Sequence, residues 1–273
     1  MRILITGARG QLGQELVKVF ENSEVIASDN DTLDITNFSQ VKEFVKDKKP
    51  DWIINCAAYT DVDGCAKDPE KANLINGEGP KNLATAAKEI GAKLLQISTN
   101  EVFDGTKETP YVETDQVNPI NAYAKSKVLG ERNCLEILGK SCLIARTAWL
   151  YGPASTRSFP NKIIALAKEK GKLSVVADEY GNPTYAPDLA GWIKDLVEKE
   201  KTGVFHLVNN GSCSRFEWAK EILKEKQIKT TLEKIKLKDF SKKIKTLSLK
   251  YSKVKPLFKI KIFAKSKATF LRD

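Results

Sequence analysis

Short apolar runs alternate with longer, helix-patterned segments through the first 150 residues of the chain. The apolar runs cover residues 2–6, 24–28, 51–57, 92–99 and 141–147, and between them apolar residues recur every three or four positions. Strands with nearly continuous apolar sequence are buried on both faces, and helices between them form the crossovers that parallel strands require. The alternation therefore predicts an α/β fold with a doubly wound parallel sheet.

The domain organisation is predicted from a change in this rhythm after residue 150. The later part is looser and contains the turn-rich stretch 179–187. We expect residues 1–150 to form the sheet domain, with 186–207 returning to it, and residues 151–185 and 208–273 to form a smaller C-terminal lobe over the carboxyl ends of the strands. No run approaches the roughly 18 apolar residues of a membrane span, so no membrane contact is expected.

The formal net charge of +10 is concentrated at the end of the chain, where residues 221–273 contain 17 Lys/Arg and 5 Asp/Glu. Such a tail is compatible with an anionic small substrate, with nucleic acid or with a plain solvated surface. Its lysines alternate with Ile, Leu, Phe and Val, and no nucleic-acid-binding motif is evident. A nucleic-acid partner is therefore the least favoured of the three.

Cysteine and histidine usage indicates the compartment and argues against a metal site. The five cysteines are odd in number and lack C-x-x-C spacing, which is typical of reduced thiols in a cytoplasmic protein. The single histidine, His206, lies in a strand-like run without metal-ligating neighbours. We therefore predict no metal among the site residues.

Three glycines, Gly7, Gly10 and Gly13, lie between the first predicted strand and the helix after it. Glycine lets the backbone turn tightly and approach a pyrophosphate, and a helix N-terminus presents unpaired N–H groups to it. Because both the preceding strand and the following helix are predicted here, the spacing indicates a Rossmann-type dinucleotide site.

Two residues point to different forms of that dinucleotide. Asp29 follows the second predicted strand, where an acidic residue holds the ribose hydroxyls of NAD. Arg9 lies inside the glycine loop, where a guanidinium would hold the 2′-phosphate of NADP. The sequence leaves NADPH and NADH both open.

Tyr123 and Lys127 are four residues apart in a segment predicted to be helical, so they share a helix face. An ammonium near the phenol would favour the phenolate by about 3 kcal/mol and lower the pKa of Tyr123, making it a usable general acid. Ser98 and Thr99 end the predicted fourth strand at the edge where ligands of such sheets bind. Together these groups indicate hydride transfer to or from a carbonyl group.

The chain contains, in order, the motifs TGARGQLG (6–13), LDIT (33–36), NCAAYTDVDGCA (55–66), ISTNEVFDG (97–105), Y-x-x-x-K (123–127), RTAWLYG (146–152) and GNPTYAPDLA (181–190). Together these motifs resemble those of the dTDP-4-dehydrorhamnose reductases in the extended short-chain dehydrogenase/reductase family. The resemblance runs from residue 1 to about residue 220. It implies reduction of the C4 ketone of dTDP-4-dehydro-6-deoxy-L-mannose to dTDP-L-rhamnose by NADPH or NADH. A homodimer is possible, and the resemblance leaves open a divalent ion at Glu15.

The resemblance also implies residue roles. The catalytic trio would be Thr99, Tyr123 and Lys127. Besides Arg9 and Asp29, the cofactor would be lined by Gly7, Gly10, Gln11, Leu12, Asp34, Ile35, Ala57, Ala58 and Tyr59, with Tyr123 and Lys127. The sugar nucleotide would contact Ser98, Asn100, Glu101, Phe103 and Trp149.

Two departures from the family pattern concern the sugar. The family usually has S-T-D-Y-V-F where this chain has Ser-Thr-Asn-Glu-Val-Phe at 98–103, so Glu101 replaces a tyrosine. The family's C-terminal Arg-Pro pair is replaced by Lys-Ile around 243–246.

Two alternative functions remain. A nucleotide-sugar dehydratase or epimerase is one, although Asn100 cannot supply a carboxylic acid. A non-catalytic NADP-binding regulatory subunit, resembling that of methionine adenosyltransferase, is the other.

Overall fold

The computed structural model describes residues 1–155 and 158–239. The strands are β1 (Arg2–Thr6), β2 (Glu24–Ser28), β3 (Trp52–Asn55), β4 (Lys93–Thr99), β5 (Cys142–Thr147), β6 (Leu150–Tyr151), β7 (Lys172–Val176), β8 (Tyr180–Gly181), β9 (Thr184–Tyr185), β10 (Gly203–His206), β11 (Cys213–Ser214) and β12 (Thr231–Ile235). The α-helices are α1 (Gln11–Val19), α2 (Phe38–Lys48), α3 (Val62–Lys67), α4 (Pro69–Asn73), α5 (Gly79–Ile90), α6 (Ala122–Leu138), α7 (Phe159–Glu169), α8 (Ala186–Glu198) and α9 (Arg215–Glu225).

The central sheet has six strands in the order β2-β1-β3-β4-β5-β10, and every neighbouring pair is parallel. The chain leaves β1 towards β2 and then returns across β1 to β3, so the direction of winding reverses between β1 and β3. In open α/β sheets such a reversal opens a crevice at the carboxyl ends of the strands, where ligands bind. The prediction of a doubly wound parallel sheet is confirmed.

Helices cover both faces of this sheet, which explains the unbroken apolar sequence of its strands. On one face α1 and α8 pack their apolar sides against the strands, with Leu16 and Ile193 fully buried. On the other face α2, α5 and α6 do the same, with Val41 and Leu83 fully buried. Each such side chain contributes roughly 1.5–3 kcal/mol by leaving water, so these two layers hold the strand ends in place.

The turn from β1 into α1 requires glycine at position 7. Gly7 has φ +67°, and a Cβ there would lie 2.7 Å from the backbone nitrogen of Ala57, which follows β3. Gly10 precedes α1 without a side-chain cap, so N–H groups of the first turn are not satisfied by a capping side chain. The turn therefore offers backbone donors beside the crevice.

Substituting Gly7→Ala should lower the free energy of unfolding by at least about 2 kcal/mol, since a left-handed backbone and a backbone clash coincide there. Urea denaturation measures the loss. Gly191→Ala is the matched control, because Gly191 lies in α8 and a Cβ there meets nothing within 4 Å. The control should be neutral or stabilising by up to about 1 kcal/mol, and equal stability of the two variants would contradict the argument.

Apolar residues recur at helical spacing over residues 69–91, but this segment forms two α-helices, because a proline lies within it. α4 ends at Asn73, a π-helical turn covers Leu74–Glu78, and α5 restarts with Pro80 in its first turn. Proline suits that position because its missing N–H would be unpaired there in any case. Gly130 of α6 packs on this turn, where a Cβ would lie 2.2 Å from the Asn76 carbonyl oxygen.

A smaller set of elements lies beyond β5 and has its own apolar core. β7 and β12 pair in parallel, and α7 and α9 pack beside them around Trp218, which is 1% exposed. Between these elements α8 and β10 return to the central sheet, where β10 lies beside β5.

Residues 240–273, which hold much of the basic tail and the Lys-Ile pair around 243–246, lie outside the described part of the chain.

α8 begins at Ala186, with Tyr185 before it and Pro187 in its first turn. Asp188 lies in the same turn and accepts a hydrogen bond from Asn209 Nδ2 at 2.9 Å. Among the helices of the described residues, none combines the length and apolarity needed to cross a membrane.

Candidate functional site

Two adjoining cavities lie at the carboxyl ends of the strands, in the crevice beside β1 and β3. The first, here called the β2-side cavity, has a volume of about 590 Å³ and extends towards Asp29 and Asp34. The second, the β4-side cavity, has about 410 Å³ and extends towards Thr99 and Tyr123. Four residues line both cavities, namely Gly7, Gly10, Cys56 and Ala58. The glycine turn therefore lies where a two-part ligand would cross from one cavity to the other.

The β2-side cavity brings together seven of the predicted cofactor contacts. Its lining includes Gly7, Gly10, Asp29, Asp34, Ile35, Ala57 and Ala58. Asp34 also has a local role, because its Oδ1 accepts hydrogen bonds from the Thr36 backbone N–H at 2.9 Å and its hydroxyl at 2.7 Å. This loop closes the cavity opposite the glycine turn.

Arg9 and Asp29, which indicated different cofactors, form an ion pair at the rim of the crevice. The guanidinium lies 2.7 Å from Asp31 and 3.4 Å from Asp29, and the Arg9 side chain is 65% exposed. Asp29 also accepts a hydrogen bond from the Arg9 backbone N–H at 2.7 Å. Arg9 lines neither of the two cavities, so its guanidinium would have to leave Asp31 to reach a ligand in the β2-side cavity.

The β4-side cavity gathers the predicted catalytic residues Thr99, Tyr123 and Lys127. Thr99 ends β4, and the other two lie in the first turns of α6. This helix is held by its N-cap Asn121, whose Oδ1 accepts a hydrogen bond from Ala124 N at 2.7 Å. The carboxyl end of one strand and the amino end of one helix thus meet at a single cavity. Gln11, Leu12, Ser98, Asn100 and Trp149 complete the predicted part of its lining.

Three polar atoms at this cavity are buried and find no hydrogen-bond partner within the described residues: Gln11 Nε2, Ser98 Oγ and Thr147 Oγ1. Buried polar groups without partners are rare in proteins and call for an explanation such as a ligand. Glycines that let backbone approach closely, unpaired helix N–H groups and unpaired hydroxyls suit a dinucleotide with a polar second substrate.

The protonation of Tyr123 and Lys127 differs from the prediction. The Lys127 ammonium is buried and donates to the Ile97 carbonyl oxygen at 2.7 Å, and burial lowers the pKa of Lys127 to about 8. Burial, followed by the negative charge of Glu101, raises the pKa of Tyr123 above its usual value. The prediction of a lowered Tyr123 pKa was therefore wrong, because it counted the lysine and omitted desolvation and Glu101. A hydrogen bond with Thr99 acts in the opposite direction and does not prevail.

A buried polar relay behind the cavity was missed by the sequence analysis. Thr6 donates to Asn55 Oδ1 at 2.6 Å, Asn55 donates to Gln96 Oε1 at 2.7 Å, and Gln96 donates to the Ile97 carbonyl oxygen at 2.7 Å. The same carbonyl oxygen accepts from Lys127. The relay ties β1, β3 and β4 together just below the site. An Asn and a Gln inside otherwise apolar strands were the available signal.

Besides Arg9, three predicted contacts line neither cavity. Phe103 is buried against Tyr111, with ring centroids 4.2 Å apart, and Tyr59 exchanges backbone hydrogen bonds with the Asn76 amide at 2.8 and 2.9 Å. Glu101 accepts a hydrogen bond from Asn121 Nδ2 at 3.1 Å. Neither cavity therefore gives support for the predicted contacts of these three residues with cofactor or sugar.

Trp149 lines the β4-side cavity and connects it to the C-terminal elements. Its backbone has φ +44°, which non-glycine residues rarely adopt. The Arg215 guanidinium lies 3.5 Å from its ring, and Trp218 stacks on it at 5.6 Å. A Cβ on Gly181 would lie 2.4 Å from Trp149 Cε2, so the indole fits because position 181 lacks a side chain.

A buried ion pair supports the helix that carries Tyr123 and Lys127. Glu131 lies one turn beyond Lys127 and receives two hydrogen bonds from the Arg146 guanidinium, at 2.9 and 2.6 Å. Both side chains are 5% exposed. Arg146 belongs to β5 and also contacts His206 Nε2 of β10 at 3.4 Å. The negative charge of Glu131 partly offsets the effect of burial on the pKa of Lys127.

Glu15, which the resemblance connected with a divalent ion, is buried in α1 and pairs with Lys18 at 3.0 Å. The ammonium already supplies a positive partner for this carboxylate. The sequence left open whether an ion binds at Glu15, and the ion pair with Lys18 adds no support for one.

Comparison with known proteins gives a consistent result over nearly the whole chain. The family model described as RmlD substrate binding domain matches residues 1–266. A dTDP-4-dehydrorhamnose reductase of Aggregatibacter actinomycetemcomitans is 39% identical over 86% of this chain and 83% of its own length. A dTDP-4-keto-6-deoxy-D-glucose reductase of Streptomyces niveus is 38% identical over 80% of this chain and 76% of its own.

A solved structure agrees in fold as well as in sequence. The dTDP-4-dehydrorhamnose reductase of Bacillus anthracis, crystallised in complex with NADP, superimposes with a TM-score of 0.87. It is 38% identical and covers 95% of this chain and 90% of its own.

Proposed function

The chain belongs to the RmlD substrate-binding-domain family, and on that premise we propose that it reduces the C4 ketone of dTDP-4-dehydro-6-deoxy-L-mannose to dTDP-L-rhamnose with NADPH. The family predicted from the sequence motifs is thereby confirmed. The observation that carries the proposal is the single cavity in which Thr99, Tyr123 and Lys127 adjoin the glycine turn. A hydroxyl, a phenol and an ammonium beside a dinucleotide cradle are the groups that ketone reduction needs.

The cofactor supplies the hydride, and the residues of the chain bind it and handle the proton. Gly7 and Gly10 would give the pyrophosphate access to backbone N–H groups at α1. The Lys127 ammonium, which donates to the Ile97 carbonyl oxygen and lines the same cavity, would hydrogen-bond the ribose of the nicotinamide half. Ser98 and Thr147 bring hydroxyls without other partners among the described residues.

Tyr123 acts as the proton donor to the C4 oxygen in this scheme. Reduction turns a carbonyl oxygen into a hydroxyl, so the residue that serves it must carry a proton at working pH. Burial and Glu101 raise the pKa of Tyr123, which keeps the phenol protonated at neutral pH and suits the direction of reduction. The Thr99 hydroxyl, hydrogen-bonded to Tyr123, would steady the same oxygen.

NADPH is the proposed cofactor, with NADH as a second possibility, and Arg9 gives the test. Arg9→Ala should weaken NADPH binding about 10-fold, since a charge-assisted hydrogen bond contributes roughly 1.5–3 kcal/mol and Arg9 must first leave Asp31. NADH affinity should change by less than about twofold, because NADH has no 2′-phosphate. Fluorescence titration of both cofactors measures this, and equal losses would show that Arg9 does not read the 2′-phosphate.

A second candidate reaction is reduction of the C4 ketone of dTDP-4-keto-6-deoxy-D-glucose. A relative that is 38% identical carries that activity in its name. This chain also departs from the family at Glu101, in the segment predicted to contact the sugar. Both reactions use the same cofactor and proton donor, so they differ in the sugar that the cleft accepts.

The compartment follows from the thiols. Cys56, Cys65, Cys134, Cys142 and Cys213 are all unpaired, as is usual where glutathione keeps thiols reduced. We therefore place the enzyme in the cytoplasm, and fractionation of cells that express a tagged chain tests this.

The test of the reaction follows the absorbance of reduced nicotinamide with purified protein, NADPH and each of the two keto sugars in turn. Rapid loss of absorbance with the L-mannose derivative, and at least about 10-fold slower loss with the D-glucose derivative, is the expected result. The reverse ranking would establish the second candidate. Tight NADPH binding with no oxidation of NADPH by either sugar would contradict both and favour the non-catalytic regulatory role.

A further inference from the structure

Glu101 connects the two parts of the catalytic site. Its backbone N–H donates to Thr99 Oγ1 at 3.2 Å, within the 3₁₀ turn Asn100–Val102 that follows β4. Its carboxylate accepts from Asn121 Nδ2 at 3.1 Å. One residue therefore touches the catalytic threonine on one side and the N-cap of the helix that carries Tyr123 and Lys127 on the other.

The hydrogen bond to Glu101 fixes the orientation of the Asn121 side-chain amide. Because its NH₂ group donates to Glu101, its oxygen faces the helix and accepts from Ala124 N at 2.7 Å. Asn121 is buried, at 8% exposed, so the reversed amide would leave both the carboxylate and the Ala124 N–H without these partners. A carboxylate near a helix N-terminus is also favoured by the helix dipole.

We propose that Glu101 is a positioning residue that locks the Thr99 turn to the amino end of α6 and so sets the distance between Thr99 and Tyr123. This inference rests on the proposed ketone reduction and adds a role for a side chain that the family usually replaces by tyrosine. Glu101 lines neither of the two cavities, so it acts through Thr99 and Asn121.

Glu101 has two properties that substitutions can separate, a hydrogen bond to Asn121 and a charge near Tyr123. The titratable groups that face Tyr123 are Glu101 of the 3₁₀ turn, Cys65 of α3 and, one turn away on α6, Lys127. Glu101 and Cys65 raise the pKa of Tyr123. Lys127, with a pKa of about 8, loses its proton first, so the basic limb of the kcat profile should stay in place when the charge of Glu101 is removed.

Two substitutions separate the hydrogen bond from the charge. Glu101→Gln keeps an acceptor oxygen for Asn121 and removes the charge, whereas Glu101→Ala removes both. Glu136→Gln is the matched control, because Glu136 is exposed on the same helix and about 20 Å along it from Tyr123.

We expect Glu101→Ala to lower kcat about 10–100-fold with NADPH affinity unchanged, since misplacing a catalytic group by 1 Å can cost that much. Glu101→Gln should keep kcat within about threefold at pH 7, because Asn121 keeps an oxygen acceptor. Hydrogen exchange at the Ala124 amide should be about fivefold faster in Glu101→Ala and unchanged in Glu101→Gln. The control should match the wild type throughout.

Two results would overturn the inference. One is wild-type kcat and wild-type exchange in both Glu101 variants. The other is a raised KM with kcat and exchange unchanged, which would mean that Glu101 binds the sugar instead. If the wild type fails to oxidise NADPH with either keto sugar, the proposed function is wrong, and the exchange experiment still decides whether Glu101 holds α6.

Discussion

Replacing Tyr123 with phenylalanine should lower kcat for ketone reduction by about 10²–10⁴-fold, which is the range that general acid catalysis contributes. The ring remains, so the cavity keeps its shape, and the dissociation constant for NADPH should change by less than about twofold. Stopped-flow measurement of NADPH oxidation, combined with a fluorescence titration of NADPH, separates the two quantities.

Tyr111→Phe is the matched control, because Tyr111 also has a hydrogen-bonded phenol but lines neither cavity. Its hydroxyl donates to Asp104 at 2.7 Å. This variant should keep kcat within about twofold. Near-normal turnover in Tyr123→Phe would remove Tyr123 as the acid and move attention to Thr99.

The second large effect concerns stability. Glu131→Ala should lower the free energy of unfolding by about 3–5 kcal/mol, because it leaves the buried Arg146 guanidinium without its carboxylate. For a chain of this size that corresponds to a fall in Tm of about 10 °C, which calorimetry or circular dichroism would measure.

Two comparisons make this result specific. Glu89→Ala removes a half-exposed ion pair with Lys42 and should cost less than about 1 kcal/mol. Replacing Glu131 by Leu and Arg146 by Met together should be less destabilising than Glu131→Ala, because no buried charge remains. A Glu131→Ala variant as stable as Glu89→Ala would show that water or another group compensates Arg146.

The parallel sheet, and the proximity of the predicted catalytic residues to one another, could be predicted because both depend on short-range sequence patterns. Continuous apolar runs indicated the parallel strands, and the carboxyl ends of parallel strands always share one edge. We could therefore expect Thr99, at the end of β4, and Tyr123, at the start of α6, to lie close together without knowing their side-chain partners. The start of α5 at Pro80 likewise depends on a single residue of the local sequence.

What could not be predicted depends on partners distant in sequence and on burial. The direction of the Tyr123 pKa shift is set by desolvation and by Glu101, 22 positions earlier in the chain. The positions of Phe103 and Tyr59 follow from Tyr111 and Asn76, which no periodicity connects to them. Arg146 and Glu131 become partners only because β5 lies against α6.

The residues that pack against Trp149 bear on how the range of substrates could change. Its indole is held by Gly181, Arg215 and Trp218, which lie after β5 in the chain, while its backbone keeps an uncommon φ of +44°. A side chain at position 181 would force the indole to move, because even a Cβ there would lie 2.4 Å from Trp149 Cε2. A neutral residue at position 215 would remove the cation–π contact with the indole. Neither change would alter Thr99, Tyr123 or Lys127. We therefore expect selection for a different ligand of the β4-side cavity to change these supporting positions first. The residues proposed to transfer the proton would then stay unchanged.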